Sequence, residues 1–341
     1  MTFSTLVFFI IGIALFFSVL DRDSIVRPSK ALWVPVVWLW IIGSRVPSIW
    51  LAGRTDNGSV ESTLEGNSTD AFIFACLVAL GVMILLGRKH QTLVLLKGSR
   101  PVLIYFAYCL ISVSWSPFTA VALKRWIKSV GDLIMVLIIL TDAEPTTALR
   151  RIYSRVGFVL LPASLLMIRY SDLGRGFDPT TGNPWNIGVT TNKNSLGLIT
   201  FVLALGALWN FFTLLRAGDQ PNRGRHLLAQ GALLGLSLAV LGQAHSATST
   251  VCFVVGSVLM ILTSFRAVKY SPARIHAVVL TIFIVTAVGM VFGADEYVLS
   301  LLGKNATLTG RTEIWQTVIP LARNSIVGAG LRAFGMPLTP P

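Results

Sequence analysis

A chain of 341 residues with 54% hydrophobic and 13% charged residues is not an ordinary soluble enzyme, because soluble domains carry nearer about a quarter charged residues. The net charge of +13 raises nucleic acid as a partner, but the basic residues lie in short stretches between apolar blocks. Membrane topology accounts for most of them, and no nucleic-acid partner is expected.

The apolar blocks run about 17–22 residues and lack the polar alternation of membrane strands. They predict an all-α fold, a polytopic transmembrane helical bundle in the lipid bilayer whose backbone satisfies itself. Ten spans are expected, over 3–20, 31–51, 71–87, 101–118, 126–141, 152–170, 193–215, 227–244, 247–265 and 275–293. The block from Thr2 to Leu20 has no basic residue ahead of it and no small-residue cleavage site, so it reads as a permanent span rather than a signal peptide. The fourth and fifth spans are short and interrupted by Ser112, Ser114, Ser116 and Pro117.

Alternate connections differ in charge. Segments 21–30, 87–100, 141–155, 216–226 and 265–274 hold 3, 4, 3, 3 and 3 Lys or Arg, which is 16 of the 28 in the chain. Loop 52–70 instead sets Arg54 against Asp56, Glu61, Glu65 and Asp70. The positive-inside rule then puts the N-terminus outside, the five basic loops in the cytoplasm, and the segment from Ala294 outside. On this reading residues 1–293 form the bundle, with outer loops 52–70 and 171–192, and 294–341 begin a periplasmic loop.

The other 12 basic residues are Arg45, Arg54, Lys124, Arg125, Lys128, Arg169, Arg175, Lys193, Lys304, Arg311, Arg323 and Arg332, all in or beside segments assigned outside. Translocated or buried positive charge opposes the topological bias. Lys304 and Arg323 are explained by snorkelling to outer headgroups. For the set, the sharper reading is an outward-facing site for an anion, most simply phosphate or diphosphate, which guanidinium groups grip in bidentate fashion.

Other chemistry is sparse. Cys76, Cys109 and Cys252 all fall within apolar blocks, as small packing residues. His90 and His226 lie in cytoplasmic segments, and His276 begins the tenth span. His245, in Gly242-Gln-Ala-His-Ser-Ala-Thr-Ser249, falls at the outer turn between spans eight and nine, where it is either a hydrogen-bonded turn residue or a weak catalytic candidate. No catalytic triad order, zinc spacing, P-loop or glycine fingerprint occurs. Sequons at Asn57, Asn67 and Asn305 matter only in a glycosylating host.

Outer loop 171–192 is rich in Gly, Pro, Asn and Thr and leads into Lys193-Asn-Ser-Leu-Gly197. An Asn and a Lys at the mouth of a span must find partners near the hydrocarbon edge. In Thr307-Leu-Thr-Gly-Arg-Thr-Glu-Ile-Trp315, Thr309 is placed to cap a short helix with Arg311 in its first turn. A cation is mildly unfavourable there, which favours an anion-gripping role for Arg311.

At these residues the chain resembles the O-antigen ligase and polysaccharide polymerase family, in its exopolysaccharide-production branch. The matching stretches are Ala31-Leu-Trp-Val-Pro with Gly43-Ser-Arg and Trp50-Leu; Ser112-Val-Ser-Trp-Ser116; Lys124-Arg-Trp-Ile-Lys128; Leu173-Gly-Arg175; Gly188-Val-Thr-Thr-Asn-Lys-Asn-Ser-Leu-Gly197; Leu308-Thr-Gly-Arg-Thr-Glu-Ile-Trp315; and Gly328-Ala-Gly-Leu-Arg-Ala-Phe-Gly335. The resemblance implies a bacterial inner-membrane glycosyltransferase, multi-pass and independent of metal or other cofactor. Its donor would be an undecaprenyl-diphosphate-linked glycan taken at the periplasmic face, and its acceptor another glycan unit (polymerase) or lipid A-core (ligase). It further implies that Arg175 and Arg311 bind the diphosphate, that Lys193 and Asn194 line the donor site, and that Lys124 and Arg125 are supporting cations. Such arginines would stabilise the leaving diphosphate as charge develops on it.

The family's periplasmic loop continues past the Gly-rich segment to a His that acts on the acceptor hydroxyl. This chain ends at Pro341 without it, so the expectation is a truncated frame or a non-catalytic relative, with the catalytic residue unknown and His245 a weak substitute. Two other classes compete. A transporter or flippase for an anionic solute would favour inverted repeats and broken midplane helices, whereas no repeat is visible and the basic residues gather at one face. A non-enzymatic scaffold in a polysaccharide-assembly complex is the third, favoured by the short tail.

Overall fold

The structure, a computed structural model, describes residues 29–52, 67–177, 184–216 and 222–265, together with 12, 182, 273–274, 276–281 and 284. Expected spans 3–20 and 275–293, most of loop 52–70, and the segment from Ala294 with Arg311 lie largely or wholly outside the described residues.

The fold is a helical bundle, as the hydropathy predicts. Its helices are α1 (Trp33–Ile42), α2 (Pro47–Ala52), α3 (Ser68–Gly87), α4 (Lys89–Gly98), α5 (Arg100–Ser112), α6 (Thr119–Leu140), α7 (Pro145–Tyr170), α8 (Lys193–Arg216), α9 (Arg223–Ala244) and α10 (Ala247–Ser264). Local chemistry sets several starts. Asn67 caps α3, its side chain accepting from the Thr69 N–H at 2.8 Å. Proline stands in the first turn of α5 and of α7, where a missing N–H costs nothing.

Neighbouring contacts fix the directions. Lys128 lies over Phe74 and Gly81 meets Ile134, so α3 and α6 run parallel, and the α4–α5 connection returns between them. Gly206 meets Tyr153 and Gly231 faces Phe211, so α8 runs opposite to both α7 and α9. Gly197 meets Ser249 and Gly256 meets Leu205, which sets α10 parallel to α8. One end of the bundle therefore gathers Arg88, Arg150, Arg155, Arg216 and Arg223, all from the basic connections. There Arg88 bonds Ser29 at 2.9 Å and pairs with Asp142 at 3.5 Å, and Arg155 lies over Trp33. Arg223 bonds the Leu214 and Leu215 carbonyls, capping the end of α8. The opposite end carries the loop between α7 and α8.

The expected boundaries need several corrections, among them the start of α7, which is at Pro145 rather than 152. Residues 31–51 are not one continuous helix: α1 stops at Ile42, a turn at Gly43–Val46 follows, and α2 begins at Pro47, whose ring disfavours helix at the residue before it. Segment 87–100, expected as loop, contains α4, which is bent by 85° from the continuation Arg100–Trp115. α6 starts at Thr119, so Lys124, Arg125 and Lys128 are helical. Loop 171–192 holds a short hairpin. Among the described residues α3, α7, α8, α9 and α10 are long and apolar enough to cross a membrane, and the bent pair makes a sixth. Of the cysteines only Cys109 is packed inside; Cys76 and Cys252 face outward.

Two apolar cores share α1. One joins it to α7, α8 and α9 through Leu32, Val36, Phe158, Leu196 and Leu233, and the other joins it to α3 and α6. The second centres on Trp38, whose indole N–H donates to Asp132 Oδ1 at 2.8 Å and whose ring meets Phe74 edge-on at 5.0 Å. Gly131 makes room for it: a β-carbon there would sit 2.8 Å from Trp38 Cζ2 and closer still to Cη2. Gly131→Ala is expected to cost about 1–3 kcal/mol by overpacking, read as a thermal midpoint several degrees lower in detergent while Gly87→Ala, in open space, leaves it unchanged.

Candidate functional site at the hairpin end

The loop after α7 is seated by its glycines. Ser171 accepts from Leu173 N–H and opens a 3-10 turn, Asp172–Gly174. Buried Gly174 packs on the last turn of α7, and its carbonyl receives the N–H groups of Ile187 at 2.9 Å and Gly188 at 3.0 Å. Strands β1 (Arg175–Phe177) and β2 (Pro184–Asn186) then pair antiparallel, Arg175 opposite Asn186 and Gly176 opposite Trp185. Gly188 takes φ +53°, a left-handed conformation glycine adopts without strain, and its bare Cα lies against Ser164. Asn192 caps α8, its side chain accepting from Ser195 N–H at 2.8 Å.

Arg45 clasps this loop from beneath. Only 2% exposed, it donates from Nε to the Thr190 carbonyl at 3.0 Å and from Nη2 to the carbonyls of Gly188 (3.1 Å) and Leu173. Its guanidinium lies 5.5 Å from the Trp50 ring centre. Burial lowers its pKa, but from so high a value that the charge is kept.

Arg175 is exposed, and its Nε donates to the Ile168 carbonyl at 3.0 Å. That bond uses one edge of the guanidinium; Nη1 and Nη2 meet no partner among the described residues. Side chains alternate across a strand, so Arg175 shares a face with Asn186. The Asn186 amide donates to the Gln243 backbone carbonyl and to its Oε1, each at 3.0 Å, tying that face to the end of α9. His245 follows two residues later, exposed and left-handed at φ 46°, as the cap of α9. The turn geometry accounts for His245 structurally. His90 and His226 belong to the other end.

Lys193 opens α8, where the helix dipole disfavours a cation. Its Nζ lies 4.3 Å from the ring centre of Trp185, an attraction worth about 0.5–2 kcal/mol. Trp185 is on the ribbon face opposite Arg175, so the two cations flank the hairpin rather than share one side. Asn194 is exposed, and the amide that caps the helix is that of Asn192. Lys124 (exposed) and Arg125 (half-buried) ride on the second turn of α6 at the same end, on the side of α3 and α5; the adjacent Trp126 bonds the Phe106 carbonyl of α5.

Sequence reasoning missed Asn186, Gln243 and Trp185, which become meaningful only once the hairpin is folded. It counted Arg45 among the outward cations offered to an anion. The structure corrects this, because the Nε and Nη2 edges of Arg45 are committed to backbone carbonyls. Among the described residues no group of three His, Cys, Asp or Glu side chains is placed to hold a metal ion.

Bundle and loop together define a polytopic helical membrane protein. The chain is 29% identical over 232 residues to the exopolysaccharide production protein ExoQ of Rhizobium meliloti (strain 1021), a match covering 67% of this chain and 50% of that protein. The chain thus spans about half the length of this curated relative. No family model and no solved structure matches.

Proposed function

We propose that this protein acts in exopolysaccharide production at a bacterial inner membrane, transferring a glycan from a lipid diphosphate carrier, as polymerase or ligase, at the hairpin end. The observation that carries this reading is the 232-residue match to an exopolysaccharide production protein, and the exposed guanidinium of Arg175 supplies the chemistry. In the reaction an acceptor hydroxyl attacks the anomeric carbon of the donor sugar, the bond to the diphosphate breaks, and the lipid diphosphate leaves with the electron pair. Arg175, with Arg311, binds the diphosphate and offsets its growing charge. Lys193 and Asn194 line the donor site, and Lys124 and Arg125 add positive potential. His245 is the imidazole available at this end to take the hydroxyl proton.

Deleting the gene from its native genome, then restoring it, tests the proposal. Extracellular polymer is expected to disappear and return. Single repeat units left on the lipid carrier identify a polymerase; finished polymer stranded on the carrier identifies a ligase. Unchanged polymer in the deletion strain overturns the proposal.

A further inference from the structure

Arg45 differs from an ordinary packed side chain in three respects. Its bonded partners, Leu173, Gly188 and Thr190, are all carbonyls, and among the described residues no carboxylate pairs with it. A buried cation left without a counter-charge is costly, and a neutral side chain would fill the same space without that cost. The carbonyls also come from both limbs of the loop: Leu173 precedes Arg175 by two residues, and Thr190 precedes Lys193 by three. A planar fork of donors reaches such a set, whereas an ammonium group concentrates its donors at one point.

The clasp is itself anchored. Ser48, three residues on, donates its N–H and hydroxyl to the two Asp70 oxygens at 2.8 and 2.5 Å, fastening the turn to the start of α3. The Trp50 indole donates to Ser44 Oγ at 3.4 Å. Positional information therefore passes from α3 through α2 and Arg45 to the segments bearing Arg175 and Lys193. Arg45 Nη1 meets no partner among the described residues.

We infer that Arg45 is a positioning residue: it fixes the backbone that carries Arg175 and Lys193, and its uncompensated charge beneath the loop strengthens the hold on an anion above it. The second part rests on the diphosphate reading. Inorganic pyrophosphate is the probe, with the full chain in lipid nanodiscs, and trypsin cleavage after Arg175 and Lys193 reports loop order independently. In Arg45→Lys the pyrophosphate Kd rises about tenfold and in Arg45→Met further, both with faster cleavage. Gln230→Ala, which breaks a buried bond to Ser154 far from the loop, lowers the thermal midpoint but leaves the Kd unchanged.

An unchanged Kd in both Arg45 variants overturns the charge effect and unchanged cleavage overturns the positioning role; an equal weakening in Gln230→Ala overturns both, because it would mark a general stability effect. If the wild-type protein does not bind pyrophosphate, the diphosphate reading fails, and with it the charge effect. In that case faster cleavage in the Arg45 variants still upholds the positioning role, and unchanged cleavage overturns it.

Discussion

Arg175→Ala at the native locus is expected to reduce extracellular polymer about a hundredfold or more, with the protein still present in the membrane at its normal level. The guanidinium is held at one atom and open at two: Nε donates to the Ile168 carbonyl, and Nη1 and Nη2 meet no partner among the described residues. Hydrogen bonds from a charged donor contribute about 1.5–3 kcal/mol each, and two of them to a leaving diphosphate exceed the roughly 2.7 kcal/mol that corresponds to a hundredfold. The variant also loses the bond from Nε to the Ile168 carbonyl, but Arg175 is exposed and water takes the place of that donor, so folding is little affected. Arg175→Lys keeps the charge but loses both the anchored Nε and bidentate contact, and restores only a small part of the output. Polymer quantification beside a membrane immunoblot decides the matter; wild-type polymer from Arg175→Ala would remove this residue from the site.

The long helices were legible because lipid makes one demand on every spanning residue, and it can be read from hydropathy alone. Their directions were legible because charge differs between alternate connections, and Arg88, Arg150, Arg155, Arg216 and Arg223 do gather at one end. What escaped reading depends on contacts between distant segments. The segment that hydropathy shows as continuous from 31 to 51 is broken at Gly43–Val46, and the turn places Arg45 against carbonyls about 130 to 145 residues later. The motif Thr-Thr-Asn-Lys-Asn marks a special place, yet its two asparagines are alike in sequence. Only the folded turn assigns the capping bond to Asn192 and leaves Asn194 exposed. Composition also reads Gly and Pro in 171–192 as loop, whereas the hairpin forms because Gly174 allows the chain to lie directly on α7.

That close approach makes Gly174→Ala the most damaging small substitution in the loop. A β-carbon at 174 would lie 2.5 Å from the Ile168 nitrogen and closer still to the Met167 carbonyl group. Both are backbone atoms of the last turn of α7, so no side-chain rotation relieves the clash. Either that turn unwinds or the loop lifts, at a cost of about 1–3 kcal/mol or more. Lifting the loop also breaks what Gly174 organises: its carbonyl's two bonds to Ile187 and Gly188, the Arg175–Ile168 bond, and the Arg45–Leu173 bond. The core on Trp38 lies elsewhere, and the Phe158 core is touched only at its loop end, where Met167 and Ile168 belong to it and Leu173 packs on it. Trypsin cleavage after Arg175 is expected to rise about tenfold or more, the population change that about 1.4 kcal/mol produces, while the thermal midpoint falls by only a few degrees. Polymer output falls with loop order. Gly182→Ala serves as the comparison: glycine there has φ +70° but nothing within 4 Å, so alanine incurs only the backbone cost of about 1 kcal/mol. Equal cleavage rates in Gly174→Ala and wild type would mean that the loop does not rest on α7, and the arrangement of Arg175, Asn186 and the α9–α10 turn would fall with it.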